Sequence, residues 1–172
     1  PFFFLPSLSL KYSLAENQNL RLSYFRSVSY PNFYEAVFNG ANGQGGVSGE
    51  DYTEFSNDTI HPTTAHNLDI RWEYFPGGLD QILVGGFYKR LHNPIEYAIQ
   101  AVQVGLQYGP ANFGDATNYG FEFDFRKYFN RFGIAGNYTY TNSQITTPKV
   151  FKQNFNSDTV SQTRPLQGQS AH

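Results

Sequence analysis

Apolar and polar residues alternate along much of the chain with a period of two, which is the pattern of a β-strand with two different faces. The segment from Asn118 to Phe129 shows this alternation most clearly. One face of the predicted strand carries only aromatic residues, namely Tyr119, Phe121, Phe123 and Phe125. The opposite face carries Gly120, Glu122, Asp124 and Arg126. Such a strand fits a wall that separates an apolar environment from water.

Similar alternation predicts about six strands in all. The other five segments are Ser7–Leu14, Leu20–Tyr24, His66–Phe75, Leu79–Leu91 and Ile134–Thr141. In one of them the phase of the alternation is ambiguous, because Ile82, Leu83 and Val84 follow one another directly. A β-bulge and a stretch covered by protein on both faces both fit that run.

The connections between these segments alternate in length. Short ones join the first segment to the second, the third to the fourth and the fifth to the sixth, at Ala15–Asn19, Pro76–Gly78 and near Asn130–Arg131. Long ones follow the second, fourth and sixth segments, whereas a compact domain favours connections of about 4 to 6 residues. The first long loop, from Pro31 to about Thr63, contains the Gly-rich tract Asn39–Gly46 and is predicted to be a flexible surface loop. Short turns alternating with long loops are typical of an outer-membrane barrel.

Composition supports a membrane wall rather than a soluble core. Aromatic residues make up 18% of the 172 residues, with 13 Tyr and 17 Phe, yet the mean hydropathy is negative. No apolar run reaches the ~18 residues that a membrane-spanning helix needs, which leaves spanning strands possible. The net charge of −2 gives no footprint for nucleic acid. The absence of Cys excludes a disulfide framework, and the absence of Met leads us to expect an internal piece of a longer chain.

No catalytic or metal site is predicted. The carboxylate pairs Glu122 with Asp124 and Asp69 with Glu73 each share a strand face, but Arg126 or Arg71 beside them indicates ion pairs in a polar wall. His61 and His66 are five residues apart, which would put them on opposite faces of a strand. We therefore expect no catalytic residues, no metal ligands and no cofactor.

Ligand-binding candidates lie in the predicted long loops. They are Tyr34, Tyr52 and Glu54 in the first loop, and Glu96 with Tyr97 in the second. A tyrosine offers a flat ring and a hydroxyl group, which suit sugars, catechols and peptides. An interfacial aromatic belt is the alternative explanation for any one of these rings.

Several stretches resemble TonB-dependent receptors, especially those of Bacteroidota. They are Leu5–Tyr12 (LPSLSLKY), Asn19–Tyr24 (NLRLSY) running into Ser29–Phe33 (SYPNF), Ala65–Gly77 (AHNLDIRWEYFPG) and Arg164–Ser170 (RPLQGQS). Tyr30 stands where the family pattern usually has Arg. Together the stretches span almost the whole chain, so the similarity rests on their order and spacing.

This resemblance implies an all-β fold, an antiparallel transmembrane β-barrel with long extracellular loops. Residues 1–172 would be part of a barrel of about 22 strands, with the plug domain and the remaining strands absent. It further implies a receptor in the outer membrane of a Gram-negative bacterium that imports a siderophore, cobalamin, an oligosaccharide or a peptide. Its partners would be outer-membrane lipid, the TonB complex through the missing plug and, in some receptors, a surface lipoprotein.

Two other functions remain open at this point. One is an outer-membrane barrel for adhesion or secretion without TonB coupling, which would lack a plug. The other is a soluble all-β binding module, which would stay in solution without detergent. The aromatic stripe from Tyr119 to Phe125 argues against the soluble module.

Overall fold

The computed structural model describes residues 2–37, 52–54, 56–101, 106–153 and 156–166, and the side chains of residues 52–54, 100–107 and 148–159 lie outside this description. Within these ranges the chain is nearly all β. The strands are β1 (Ser7–Ala15), β2 (Gln18–Ser29), β3 (Tyr52–Glu54), β4 (Thr63–Gly77), β5 (Asp80–His92), β6 (Ile95–Ala101), β7 (Leu106–Asn112), β8 (Ala116–Phe129), β9 (Phe132–Gln153) and β10 (Asn156–Arg164). A one-turn helix, α1 (Phe33–Ala36), follows β2 and starts at a capping box between Asn32 and Glu35. No helix among the described residues is long and apolar enough to cross a membrane.

Seven of the strands form one antiparallel sheet in the order β1-β2-β4-β5-β8-β9-β10. Each strand lies beside its neighbour in sequence within this sheet, as in an up-and-down barrel wall. The strands β1 and β10 occupy the two edges, so the described sheet is open. Six of these strands coincide with the predicted segments, and β10 is the one strand of this sheet that was not predicted.

Tight turns connect β1 to β2, β4 to β5 and β8 to β9 at one end of the sheet, called here the short-turn end. Gly78 and Asn130 adopt positive φ angles in the second and third of these turns, as two-residue hairpins require. The opposite end, called the loop end, carries the longer connections. Short turns at one end and long connections at the other confirm the first two predicted long loops.

The third predicted long connection, after the sixth segment, forms a β-hairpin and not an irregular loop. The chain continues past the sixth segment as β9, which reaches Gln153 and pairs with β10 from Ile145 to Gln153. Residues that were expected to form a loop instead extend a hairpin beyond the loop end. The Gly-rich tract Asn39–Gly46 lies outside the described residues, so its predicted flexibility stays a prediction.

The run Ile82, Leu83, Val84 contains no bulge. The register shift between β4 and β5 falls between Tyr74 and Gly77, and pairing through the run is regular. Ile82 and Val84 face Phe125 and Phe123 on β8, while Leu83 faces the opposite side of the sheet next to Asp124. The ambiguous run is therefore an ordinary strand with one apolar residue on the polar side.

A second, smaller sheet, called here the loop sheet, forms within the two long connections. Its order is β3-β7-β6, with β3 parallel to β7 and β6 antiparallel to β7. The hairpin of β6 and β7 comes from the connection between β5 and β8, whereas β3 comes from the connection between β2 and β4. The strands β3, β6 and β7 were not predicted from the sequence.

Candidate ligand-facing surface

The two faces of the large sheet differ sharply because the strand registers align residues of like polarity. The apolar face is defined by rows that run across the strands, for example Leu10, Leu22, Ile70, Gly86, Phe121, Tyr140 and Tyr12, Leu20, Trp72, Val84, Phe123, Tyr138. Ring pairs tie neighbouring strands together on this face, such as Phe121 with Tyr140 at 5.6 Å between ring centroids. Large side chains there are broadly exposed, Leu10, Ile70 and Phe121 among them. A continuous apolar surface of this size is suited to lipid contact.

The opposite, polar face carries ion pairs that cross between strands. Its central row contains Lys11, Arg21, Arg71, Gly85, Glu122 and Thr139. Arg21 and Arg71 are direct neighbours, and like charges placed so destabilise a sheet unless they find other partners. Arg21 Nε donates to Glu73 Oε1 at 2.7 Å, and Arg71 Nη2 lies 3.4 Å from Glu122 Oε2. Each arginine therefore pairs with a carboxylate that is not directly opposite it.

These pairs confirm the predicted polar wall, but the pairing partners differ from those expected from the sequence. The sequence placed Arg126 beside Glu122 and Asp124, and Arg71 beside Asp69 and Glu73. In the structure Glu122 contacts Arg71, Glu73 contacts Arg21, and Gln81 Nε2 donates to Asp124 Oδ1 at 2.7 Å. Glu73 and Asp124 meet partners on the adjacent strand, diagonal to the directly opposed residue. Glu122 reaches Arg71 past Gly85, which has no side chain.

A cavity of about 310 Å³ opens on this side of the sheet. Its lining includes Arg21, Asp69, Arg71, Glu122 and the ring of Phe87. Charges of both signs with an aromatic ring suit a polar partner better than an apolar one. No group of three or more metal-ligating side chains occurs among the described residues.

At the loop end the polar face changes character and is covered by protein. Leu91, Ala116 and Ile145 form one row there, and Ala111 and Phe113 pack against them as a small core. Ala98 of β6 joins the same core. The hairpin of β6 and β7 thus folds over the polar side of the sheet and not over its apolar side.

Hydrogen bonds join the connection between β2 and β4 to the hairpin of β6 and β7. Asn112 Oδ1 accepts from the His61 backbone N–H at 2.6 Å, and Asn112 Nδ2 donates to the His61 carbonyl at 2.9 Å. Asn57 Nδ2 donates to the Pro110 carbonyl at 3.2 Å. Together with the β3–β7 pairing, these bonds make the two connections one structural unit.

The predicted ligand-binding residues all belong to this unit or its border. Tyr34 lies on α1 and is 73% exposed. The ring of Tyr97, on β6, is 5.7 Å from that of Tyr108 on β7. Tyr52 and Glu54 form the ends of β3, and their side chains lie outside the described part. Ligand binding by these four residues stays a prediction.

Glu96 has a structural partner. It is only 6% exposed, and Arg164 Nη2 at the end of β10 donates to its carboxylate Oε2. The pair joins the β6–β7 hairpin to the last strand of the large sheet. Nothing in the sequence spacing of Glu96 and Arg164 could have indicated this contact, and ligand binding by Glu96 also stays a prediction.

The apolar face ends at the loop end in a polar group that was not predicted from the sequence. This group, called here the rim cluster, consists of Arg26, His66, Arg90, His92 and Asp115. Asp115 accepts from Arg90 Nη2 at 2.9 Å and contacts His92 Nδ1 at 2.7 Å. The Arg90 hydrogen bond is the main cause that lowers the pKa of Asp115, against a smaller opposing effect of burial, and His92 lowers it further. His66 packs against His92 at 5.9 Å, whereas His61 belongs to the loop contacts described above.

Known proteins share this architecture. The family model described as TonB dependent receptor-like, beta-barrel matches residues 2–171. No curated protein matches the sequence.

Solved structures share the fold at low sequence identity. The siderophore receptor PirA from Pseudomonas aeruginosa matches with a TM-score of 0.62 and 17% identity, over 92% of this chain and 30% of that chain. A mutant of the ferric enterobactin receptor PfeA from Pseudomonas aeruginosa, in complex with enterobactin, matches with a TM-score of 0.61 and 19% identity, over 86% and 25%. The hemophore receptor HasR of Serratia marcescens, as a double mutant with its hemophore HasA and heme, gives 0.63 and 15%, over 95% and 26%. The chain therefore spans less than a third of each of these structures.

Proposed function

Because the chain belongs to the family of TonB dependent receptor-like β-barrels, we propose that it forms part of the wall of an outer-membrane receptor that imports a scarce nutrient into a Gram-negative cell. Proteins of this family are receptors and transporters, not enzymes. The observation that carries the proposal is the two-faced sheet: an apolar face for lipid, and a polar face whose loop end is covered by folded loops. A soluble module would have no use for an apolar face of this extent.

The remaining barrel strands and a plug domain complete the proposal. The edge strands β1 and β10 each pair on one side only within the described sheet, and an unpaired strand edge in lipid leaves backbone groups without partners at a cost of several kcal/mol each. Residues 1–172 would therefore be one sector of a larger barrel. The mixed charges on the polar face, such as Arg71 with Glu122, suit contact with a polar plug inside the barrel. Coupling to the TonB complex would run through that plug.

The proposed ligand is a small or oligomeric nutrient recognised from the cell exterior. The similar structures are named for a siderophore receptor, enterobactin, copper and a heme-carrying hemophore. For this chain we propose the wider set of siderophore, cobalamin, oligosaccharide or peptide, since exposed tyrosines such as Tyr34 suit all of them. Tyr52, Glu54, Glu96 and Tyr97 complete the proposed contact surface, and a surface lipoprotein is a further proposed partner.

Uptake by whole cells tests this function. A strain that lacks the full-length gene would be supplied with labelled ferric siderophore, heme, copper, cobalamin, oligosaccharides and peptides, with and without an uncoupler that removes the proton gradient. We expect one nutrient class to accumulate only when the gene is present and the gradient intact. Gene-dependent binding without accumulation, or accumulation indifferent to the uncoupler, would favour an adhesion or secretion barrel.

Paired tyrosine variants test the contact surface. Tyr34→Ala and Tyr97→Ala in the full-length protein should weaken nutrient binding by about tenfold each, as loss of an aromatic contact does. Tyr12→Ala is the matched control, because Tyr12 is 68% exposed and lies on the apolar face near the short-turn end. Equal effects of all three variants would argue against the loop tyrosines.

A further inference from the structure

The cavity of about 310 Å³ on the polar face contains a charge that its ion pairs leave unbalanced. Arg21 is paired with Glu73, and Arg71 is paired with Glu122. Asp69 lines the same cavity, and within the described part of the chain its carboxylate has no hydrogen-bond or ion-pair partner. Because each of the two pairs is neutral, the carboxylate of Asp69 is available to a cation that enters the cavity.

The two arginines of the cavity retain unused donors. A guanidinium group has five N–H donors. Arg21 uses Nε for Glu73, and Arg71 approaches Glu122 only through Nη2, so among the described residues their other N–H groups have no acceptor. Both arginine side chains are about half exposed. An anionic oxygen in the cavity can therefore accept a hydrogen bond from either arginine without breaking an ion pair.

Two phenyl rings flank Asp69. Phe87 lies directly opposite Asp69 on β5, and Phe25 lies diagonal to it on β2. Both rings line the cavity. A cation held by Asp69 would also lie near their faces, which attract positive charge. Arg71 has Arg21 and Gly85 as its direct neighbours and no ring, so the cavity has one part suited to a cation and another suited to an anion.

The spacing of these two parts suits a short chain with a charge at each end. Asp69 and Arg71 lie on the same face of β4 with Cα atoms roughly 7 Å apart. Arg71 extends across Gly85 towards Glu122, two strands away. An extended peptide spans about 3.3–3.6 Å per residue. The two ends of a peptide of two or three residues can therefore reach both groups at once.

A second cavity gives room for a longer solute. It has a volume of about 240 Å³ and shares Arg71, Gly85 and Glu122 with the first cavity. From there it continues towards the short-turn end between Gln81, Leu83 and Asp124. The first cavity alone lies at the lower end of the range for ligand pockets, about 300–1,000 Å³, so it fits a small solute or the end of a larger one.

We propose that Asp69 binds the ammonium group, and Arg71 with Arg21 the carboxylate group, of a short peptide with free ends. The peptide would lie between the wall and the plug, with its ammonium end against Phe25 and Phe87. A solute with one charge satisfies half of this site, and an uncharged oligosaccharide satisfies neither half. This proposal rests on the proposed receptor function and selects the peptide from the nutrients named there.

Peptide binding to the purified full-length protein in detergent tests the proposal, with isothermal titration calorimetry as the measurement. The probe is trialanine with free ends, compared with its N-acetyl form and its C-terminal amide. We expect saturable binding of trialanine, and binding of each blocked form at least about tenfold weaker, since each lacks one charge-assisted hydrogen bond. Equal binding of all three peptides, or no binding of trialanine, would overturn the proposal.

Single variants assign the two ends of the peptide. Asp69→Asn should weaken trialanine binding by at least about tenfold and leave the weak binding of the N-acetyl form unchanged. Arg71→Gln should act in the same way on trialanine and the amide. Asp115→Asn and Arg90→Gln are the matched controls, because they remove the same charges at the rim cluster, outside the cavity. Equal weakening in the controls would contradict the assignment.

Two adjacent glycines provide a test that keeps all charges. Side chains of successive strand residues point to opposite faces, so Gly85→Leu would fill the cavity whereas Gly86→Leu would extend the apolar face. We expect only Gly85→Leu to abolish trialanine binding. If Asp69→Asn or Arg71→Gln does not fold, this pair of variants decides, and equal binding by both would overturn the proposal.

The outcomes for the site and for the receptor function are distinguishable. Gradient-dependent uptake of another nutrient, together with no binding of trialanine, would overturn the peptide site and leave the receptor function standing. Binding of trialanine that depends on Asp69 and Arg71, without gene-dependent uptake of any nutrient, would support the site and contradict the receptor function.

Discussion

Arg71 reaches Glu122 across an intervening strand because the residue between them is Gly85, which has no side chain to block the path. A glycine in the sheet leaves room for a contact between the side chains on either side of it. Gly120 is the most confined of the glycines described within the strands. A Cβ there would lie 2.0 Å from the Tyr140 carbonyl oxygen and 2.8 Å from Cζ of Phe87.

Substitution of Gly120 should therefore be costly. Gly120→Ala would force β8 and β9 apart, and we expect a loss of about 1–3 kcal/mol in the free energy of unfolding, as overpacking gives. Gly86→Ala is the control on the neighbouring strand, because its Cβ would meet nothing closer than 3.7 Å. The midpoint of urea unfolding in detergent measures both. If Gly86→Ala lowers the unfolding midpoint as much as Gly120→Ala does, the cause is a general intolerance of added side chains and not the contact with Tyr140.

Asp115 provides a pH-dependent contact outside the spanning strands. Its pKa lies below the ordinary 3.8, mainly because Arg90 donates a hydrogen bond to it. The stabilisation from its ionised form is thus fully present above about pH 4 and is lost as the pH falls through the lowered pKa. Arg90→Gln should raise the pKa of Asp115 towards 3.8, which the pH dependence of its carboxyl carbon shift in NMR would show. An unchanged titration in that variant would mean that Arg90 is not the main cause.

At the scale of the elements, alternation in the sequence predicted those strands whose two faces meet different surroundings. The six predicted strands all have an apolar and a polar side, and their rows match across the sheet. The strands that were missed lack this contrast. The outer part of β9 contains Pro148, which usually argues against a strand interior, and β6 and β7 pack against a small local core instead of lipid.

The candidate site was less predictable than the sheet. Loop composition indicated where ligand contacts could lie, but Glu96 and Arg164 are 68 residues apart in sequence, and only the folded hairpin brings them together. The rim cluster was missed for the same reason, since register and not sequence spacing places Arg26, His66 and Arg90 side by side. Long-range pairing of this kind leaves no signal in one sequence.

The β6–β7 hairpin should depend on its ion pair with β10. Glu96→Gln leaves the partly exposed Arg164 without its carboxylate, and loss of this charge-assisted hydrogen bond should cost about 1–3 kcal/mol. We expect amide exchange in β6 and β7 to accelerate by about tenfold or more, with no change in β2 and β4. Glu122→Gln is the control, because both members of its pair are exposed. Faster exchange throughout the sheet would instead indicate global destabilisation.

At the scale of the whole molecule, the assignment of the two faces can be tested at adjacent residues. Tyr138 lies on the apolar face and Thr139 on the polar face of β9. Tyr138→Arg should cost about 2–4 kcal/mol in lipid because it places a charge among acyl chains. Thr139→Arg should stay within about 1 kcal/mol, since it enters a row that already holds Arg71 and Glu122. Unfolding from lipid vesicles measures both, and the reverse order would exchange the two faces.

The parallel pairing of β3 with β7 has a consequence for how such receptors diversify. Since Tyr52–Glu54 finds its backbone partners at Leu106–Tyr108, neither connection is complete without the other. A chimaera that takes only one of these connections from a relative would leave β3 or β7 without its partner strand. Changes of specificity should then be transmitted as a matched set of both connections, and recombination between them should be selected against.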